Sequence, residues 1–279
     1  MMNKQRLGYI IKLMLTMIVA LMLGKILGCR EYHLNRKNIN KVELLTREVV
    51  LEYDSTHHIE SVDFRENGIV ASYPRILTGG SATQLEDWNR IIKEDFDKII
   101  QIYSFQPFPQ PMPPTDVVPI MLTLSYDVKG NTDAWLSILY HADYNSIYSA
   151  HPSNLVYTSN IDKRTSRRLR LSDIVDLNEA FVKEFRSWRQ KDNPQSTDEI
   201  RNAVNVYINN ISDEELLTGF RLADQIGSGN TWGIYSYLTK DRVGISIEVP
   251  NYAGDHAEFE QEMTMLEQYL KPEFSEPVQ

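Results

Sequence analysis

Val117-Val118-Pro119-Ile120-Met121-Leu122-Thr123-Leu124-Ser125-Tyr126-Asp127-Val128 and Ala134-Trp135-Leu136-Ser137-Ile138-Leu139-Tyr140-His141 are two apolar runs rich in β-branched and aromatic residues. Between them stands Lys129-Gly130-Asn131-Thr132, which carries turn chemistry, so the pair reads as a β-hairpin. A third run, residues 155–161, extends that sheet. Upstream, Gly68-Ile69-Val70-Ala71-Ser72-Tyr73-Pro74 alternates as a strand ended by its proline, and Thr78-Gly79-Gly80-Ser81 is a turn. A helix follows, because Leu85, Trp88, Ile92, Phe96, Ile99 and Tyr103 recur at spacings of three and four. Ser81 with Gln84, or Thr83 with Glu86, supplies its capping box. Five prolines between Phe105 and Asp116 forbid helix and make that segment a connecting loop or an exposed recognition segment.

Downstream the pattern turns helical. Leu177, Phe181, Phe185 and Trp188 share one face, and Ile200, Val204, Tyr207, Ile208 and Ile211 share another. Ser196 with Glu199 and Ser212 with Glu215 offer further capping boxes. Residues 232–238 and the alternating Val243, Ile245, Ile247 and Val249 form a last hairpin around Thr239-Lys240-Asp241. Phe259, Met263, Leu266 and Leu270 predict a closing helix before Pro272. Strands cluster apart from helices, which predicts an α+β fold of antiparallel sheets with packed helices.

The chain has 279 residues, 42% of them apolar and 24% charged, with a mean hydropathy of -0.37. Those values exclude a disordered tail, a collagen-like repeat and a multi-span membrane protein. It carries 38 acidic against 29 basic side chains. Four of the basic ones, Lys4, Arg6, Lys12 and Lys25, precede Cys29 in a segment without acids, which leaves 25 against 38, or -13, for the remainder. A body that negative repels nucleic acid and steers a cationic partner toward itself.

Cys29 is the only cysteine, so disulfide frameworks and cysteine zinc sites are excluded. It closes a positively flanked apolar run over residues 7–27 that reads as a secretory signal. Ile26-Leu27-Gly28-Cys29 resembles a bacterial lipobox, with Cys29 as the lipidated residue, although Leu27 is bulky for it and Arg30 follows. The alternatives are an uncleaved signal anchor and free secretion. Each places the remainder on the outer face of the cell membrane or beyond it. The expected organisation is a signal or anchor over 1–29, a tether over 30–58, and two sequential subdomains over 59–158 and 159–279.

Catalytic signatures are sparse. Gly227-Ser228-Gly229-Asn230-Thr231-Trp232-Gly233 superficially resembles a dinucleotide loop, but a strand rather than a helix is expected after it. His141, Asp143, His151, Asp255 and His256 have donor types suited to zinc at spacings that match no known site, and surface histidines are the simpler reading. The five carboxylates of residues 255–267 read as the solvated face of the closing helix. No cofactor or metal is expected.

Tyr73-Pro74, Trp88-Asn89, Leu124-Ser125-Tyr126-Asp127 and Leu136-Ser137-Ile138-Leu139-Tyr140 resemble the extracellular domain that precedes the catalytic domain of certain peptidoglycan deacetylases, the DUF4163 family. Asn154-Leu155-Val156-Tyr157, Leu169-Arg170-Leu171-Ser172-Asp173-Ile174-Val175, Tyr237-Leu238-Thr239-Lys240-Asp241 and Ile247-Glu248-Val249-Pro250 resemble the C-terminal domain of lysozyme-sensing anti-sigma factors, the DUF3298 family. The resemblance covers about residues 60–270. It implies a sensor or binding half that recognises a lysozyme or a peptidoglycan fragment, and only six residues precede the apolar run where a sigma-binding domain would stand. A peptidoglycan-modifying enzyme or its accessory subunit, and a structural lipoprotein, are the competing expectations. By position in that family, Tyr144, Tyr148, His151 and Asn154 are candidate partner contacts, against the plainer reading of tyrosines packed over a sheet.

Overall fold

The expected first helix, α1 (Ala82–Ser104), opens on the Ser81 box: the Gln84 N–H donates to Ser81 Oγ and the Ser81 N–H to Gln84 Oε1, at 3.3 and 3.0 Å. In the computed structural model, residues 58–104, 121–145, 149–191, 196–227 and 229–275 are described. Cys29, the tether up to residue 57, the proline-rich segment and Tyr148 lie outside them.

Helix α1 links β2 (Ile69–Ile76) to β3 (Leu122–Asn131), and these two strands pair in parallel from Ile69↔Leu122 to Ala71↔Leu124. The sheet is therefore mixed rather than wholly antiparallel. Proline does not end β2. Pro74 lies inside it, opposite Ser61 of β1 (Ile59–Glu66), past the three residues that β3 engages, where its missing N–H need not break a ladder. The expected hairpin joins β3 to β4 (Trp135–Tyr144), and β5 (Ser153–Asp162) and β6 (Arg167–Arg168) complete a sheet of order β1-β2-β3-β4-β5-β6. Trp88, Ile92, Phe96 and Ile99 of α1 pack on one face of it, against Leu122, Leu124, Leu136, Ile138 and Tyr140.

The second sheet runs β7 (Arg189–Gln190), β10 (His256–Glu262), β9 (Arg242–Glu248), β8 (Tyr235–Leu238). Helices α2 (Leu171–Ile174), α3 (Glu179–Phe185), α4 (Asp198–Asn210), α5 (Asp213–Arg221) and α6 (Pro272–Ser275) accompany it. Phe181, Phe185, Val204 and Phe220 bury one face of this sheet through Val243, Ile245, Ile247 and Phe259. The Ser212–Glu215 box caps α5 as expected, whereas α4 is capped by Thr197 and not by Ser196.

The closing helix is not formed. Phe259 lies in β10, which pairs with β9 over seven residues, and Met263–Met265 is a single 3-10 turn. Ala257 and Phe259 alternate with Glu258 and Glu260, so the acids occupy one face of a strand. The described residues lie within one compact unit, and residues 158 and 159 both lie in β5. No helix among the described residues is long and apolar enough to cross a membrane.

Candidate functional site

Strand β4 is buried on both faces for most of its length, and so is the second half of β5, because α1 covers one side and the second sheet the other. The covered second face carries Leu139 and Val156 together with a polar strip, which is satisfied by reciprocal hydrogen bonds. Ser137 Oγ donates to Asn160 Oδ1 at 2.6 Å and accepts from the Leu238 N–H at 3.0 Å, while Asn160 Nδ2 donates to the Ser236 carbonyl at 2.8 Å. Asp224 accepts from Thr158 Oγ1, Ser236 N and Oγ, and Leu171 N at 2.5–3.2 Å. Burial nevertheless pushes its carboxyl up to about 6.

Toward the start of β5 this seam opens into a cleft. Pairing of His141 with Val156 and of Asp143 with Asn154 brings these side chains to the end of the sheet where β10 replaces β8 as the neighbour. Asn154 is the hub. Its N–H donates to Asp255 Oδ2 at 2.9 Å, its Nδ2 donates to Asp143 Oδ1, and its carbonyl meets His256 Nδ1 at 3.1 Å. Burial holds His256 below its ordinary value, against the pull of that carbonyl and of Glu258 and Asp255.

Across the cleft, register places Tyr237 opposite Gly244, and Gly244 opposite Glu260, on one face of the second sheet. A Cβ on Gly244 would overlap the Tyr237 ring, so only glycine lets that ring lie flat across the strand. The Tyr237 hydroxyl thereby reaches Glu258 Oε2 and Glu260 Oε1 at 2.8 and 2.7 Å. Lys191 Nζ lies 3.0 Å from Glu258, and the Lys129 and Lys191 ammoniums stand 5.4 and 5.6 Å from the Tyr237 ring centroid. Burial lowers the Lys129 ammonium. Burial opposes Lys191 as well, but Glu258 and Glu260 outweigh it and hold that ammonium up. Burial likewise works to raise Glu258, and the two lysines draw it below its ordinary range.

Three cavities adjoin one another here. One of about 500 Å³ is lined by Asp127, Lys129, His141, Lys191, His256 and Glu258 among others. A second, about 230 Å³, shares Asn154 with it and carries Asp143, Tyr144 and Asp255, with no lysine, arginine or histidine among the described residues of its lining. A third, about 330 Å³, shares His256 and contains Tyr157, Tyr235 and Glu248. Burial raises the Glu248 carboxyl, and Asp255 adds to the effect.

Of the candidate contacts, Tyr144 and Asn154 come together on the second cavity, where the Tyr144 ring lies 5.1 Å from that of Tyr103. His151 is exposed, its Nδ1 faces the Pro152 carbonyl at 3.0 Å, and it is not among the residues that line the three cavities. Among the described residues no group of three or more histidine, cysteine or acidic side chains is placed to hold a metal ion. His141 Nε2 faces Asp127 Oδ2 at 3.2 Å. The sequence reading missed Lys129, Lys191, Tyr237 and Glu258, although the alternation of Glu258 and Glu260 with Ala257 and Phe259 is a strand signal in plain view.

No family model matches the chain, and no curated protein does. Among solved structures it is similar to a member of the DUF3298 family from Bacteroides fragilis, at 14% identity and a TM-score of 0.44 over 78% of this chain and 95% of that one. A DUF3298 family protein from Pseudomonas aeruginosa is 13% identical with a TM-score of 0.44, over 79% and 97%. These structural neighbours are DUF3298 family proteins. Their family description is the one that residues 154–250 were expected to resemble.

Proposed function

We propose that this chain is a binding module of the bacterial envelope, exported and held at the outer face of the membrane by its N-terminal segment, that recognises a cationic muramidase of the lysozyme type. The observation that carries the reading is the cavity lined by Asp143, Tyr144 and Asp255, which offers two carboxylates beside an aromatic face and has no cationic side chain among the described residues of its lining. An ammonium or guanidinium from a partner finds there both charge-assisted hydrogen bonding and a ring face. The net -13 of the chain after its N-terminal segment steers such a partner inward. The sequence resemblance to lysozyme-sensing domains supports the same partner class.

The test is calorimetry of the purified full-length chain with a cationic lysozyme at low and high salt. Saturable one-to-one binding that persists at high salt, weakened about tenfold in Asp143→Asn, is the expected result, since Asp143 is exposed in the free chain and a charge pair that the partner covers on binding contributes on that order. Heat that vanishes with salt, or is absent, overturns the reading.

A further inference from the structure

The carboxylates around the cleft are matched, with one exception. Asp127 faces His141, Asp143 and Asp255 are held by Asn154, and Glu258 by Lys191. The Glu248 carboxylate makes no hydrogen bond or ion pair with any described residue. The residue is exposed at the end of β9, so a ligand can reach it. It borders the 330 Å³ cavity and also a fourth, of about 410 Å³, lined by Tyr207, Thr231, Trp232, Glu248, Val249 and Pro250. No lysine, arginine or histidine occurs among the described residues of that lining.

Two glycines shape this opening. Gly233 adopts a φ of 51°, and a Cβ on it would overlap Glu248 Oε2, so the carboxylate lies over bare backbone. Gly219 stands inside α5, where glycine weakens a helix, and a Cβ there would come within 3.0 Å of Trp232 Cδ1. The indole therefore leans on the helix where a methyl group would push it off. Trp232 and Tyr207 are half-buried, and neither ring packs on another aromatic ring among the described residues. Two free rings beside an unpaired carboxylate attract a cation with an apolar shell. A guanidinium brings five N–H donors to a lining with one carboxylate and two hydroxyls, whereas a quaternary ammonium has none to satisfy and offers methyl groups to the rings, Val249 and Pro250. The volume lies within the ~300–1,000 Å³ range of small-molecule sites.

We infer that this cavity is a binding site for a quaternary ammonium head of the trimethylammonium class, free or carried by a lipid, with Glu248 as its counter-ion and Trp232 and Tyr207 as its walls. It shares no described lining residue with the acidic notch proposed for a cationic partner, and it stands whether or not that partner binds.

The test is titration of the purified full-length chain, in an uncharged detergent at constant ionic strength, followed by tryptophan emission and by saturation-transfer NMR. Trp88, Trp135 and Trp188 are buried while Trp232 is half-exposed, so a change in emission reports Trp232. Choline should give a saturable change, and its neutral carbon isostere, neohexanol, should bind about tenfold more weakly. Glu248→Gln should weaken choline about tenfold with the melting temperature unchanged, because that carboxylate has no internal bond to lose, and Asp143→Asn should bind choline like the parent. Glycerophosphocholine separates the two sources of the head: binding as tight as that of choline assigns a lipid, and much weaker binding assigns a free solute. The inference is overturned if choline gives no saturable signal, if neohexanol or n-butylammonium binds as tightly as choline, or if Glu248→Gln binds choline like the parent, which would put the cation elsewhere on the molecule.

Discussion

Asp224 shows how one buried group ties the two sheets together and makes stability depend on pH. It receives four hydrogen bonds, from β5, from the start of α2 and from β8, so it is the fixed point about which the polar seam is organised. Its carboxyl is raised by burial from 3.8 to about 6. A group whose folded value exceeds its unfolded value contributes stability that is complete below the unfolded value and is lost as pH rises through the folded one. The window here runs from about pH 4 to pH 6, and the loss is ~3 kcal/mol at ~1.4 kcal/mol per unit. Asp224→Asn does not titrate, and its amide turns N–H groups toward donors, so it is destabilised at every pH by about 2–4 kcal/mol. The gap between parent and variant should therefore narrow from pH 4 to pH 7. Urea unfolding at both pH values measures it, and a gap that is constant or widens would mean that the four donors keep the carboxylate ionised throughout.

At the scale of elements, the face that β8, β9 and β10 turn toward the first sheet depends on Gly244. Tyr237 is fully buried there with Leu139 and Val156, so its ring has no room to retreat from a methyl group on the neighbouring strand. Gly244→Ala is expected to cost about 2–3 kcal/mol, the scale of an overpacked core, and to pull the hydroxyl away from Glu258 and Glu260. Tyr237→Leu added to that variant should recover part of the loss. A Gly244→Ala protein that melts with the parent would show that the ring is not wedged. The same elements mark where sequence pattern suffices. Helix α1 and strand β9 were legible because each buries a full periodic stripe, Trp88 to Tyr103 in one and Val243 to Ile247 in the other. Strand β10 was not, since Met263, Leu266 and Leu270 continue a helical spacing after Phe259, and carboxylates that face a cleft look like carboxylates that face water. Strand β1 escaped notice because none of its residues is fully buried. The parallel register of β2 with β3 unites residues about fifty apart, which no local period encodes. The candidate site was half legible for the same reason. Tyr144 and Asn154 are near in sequence and meet in the fold, while Lys129, Lys191 and Glu258 are separated by some sixty residues each and meet only through the packing of two sheets.

For the whole molecule, attachment to a membrane is a question of opposing energies. A body carrying -13 is pushed from an anionic leaflet, and a single acyl chain holds a protein only marginally. The proposed location therefore demands either several acyl chains on Cys29 or an uncut apolar segment. Residues 7–27 would reach about 32 Å as a helix at ~1.5 Å per residue, enough to span the hydrocarbon layer, so the two anchors retain the protein equally well and fractionation does not separate them. Chemistry at residue 29 does separate them, because the chain has one thiol. With lipid attachment, Cys29→Ala should accumulate as an uncleaved precursor that takes up no fatty-acid analogue, while the parent is shortened and labelled. Cys29→Ala that is processed like the parent would discard the lipid anchor, and a parent neither shortened nor labelled would assign retention to the span; neither outcome bears on the acidic notch, for which the lysozyme titration is the test.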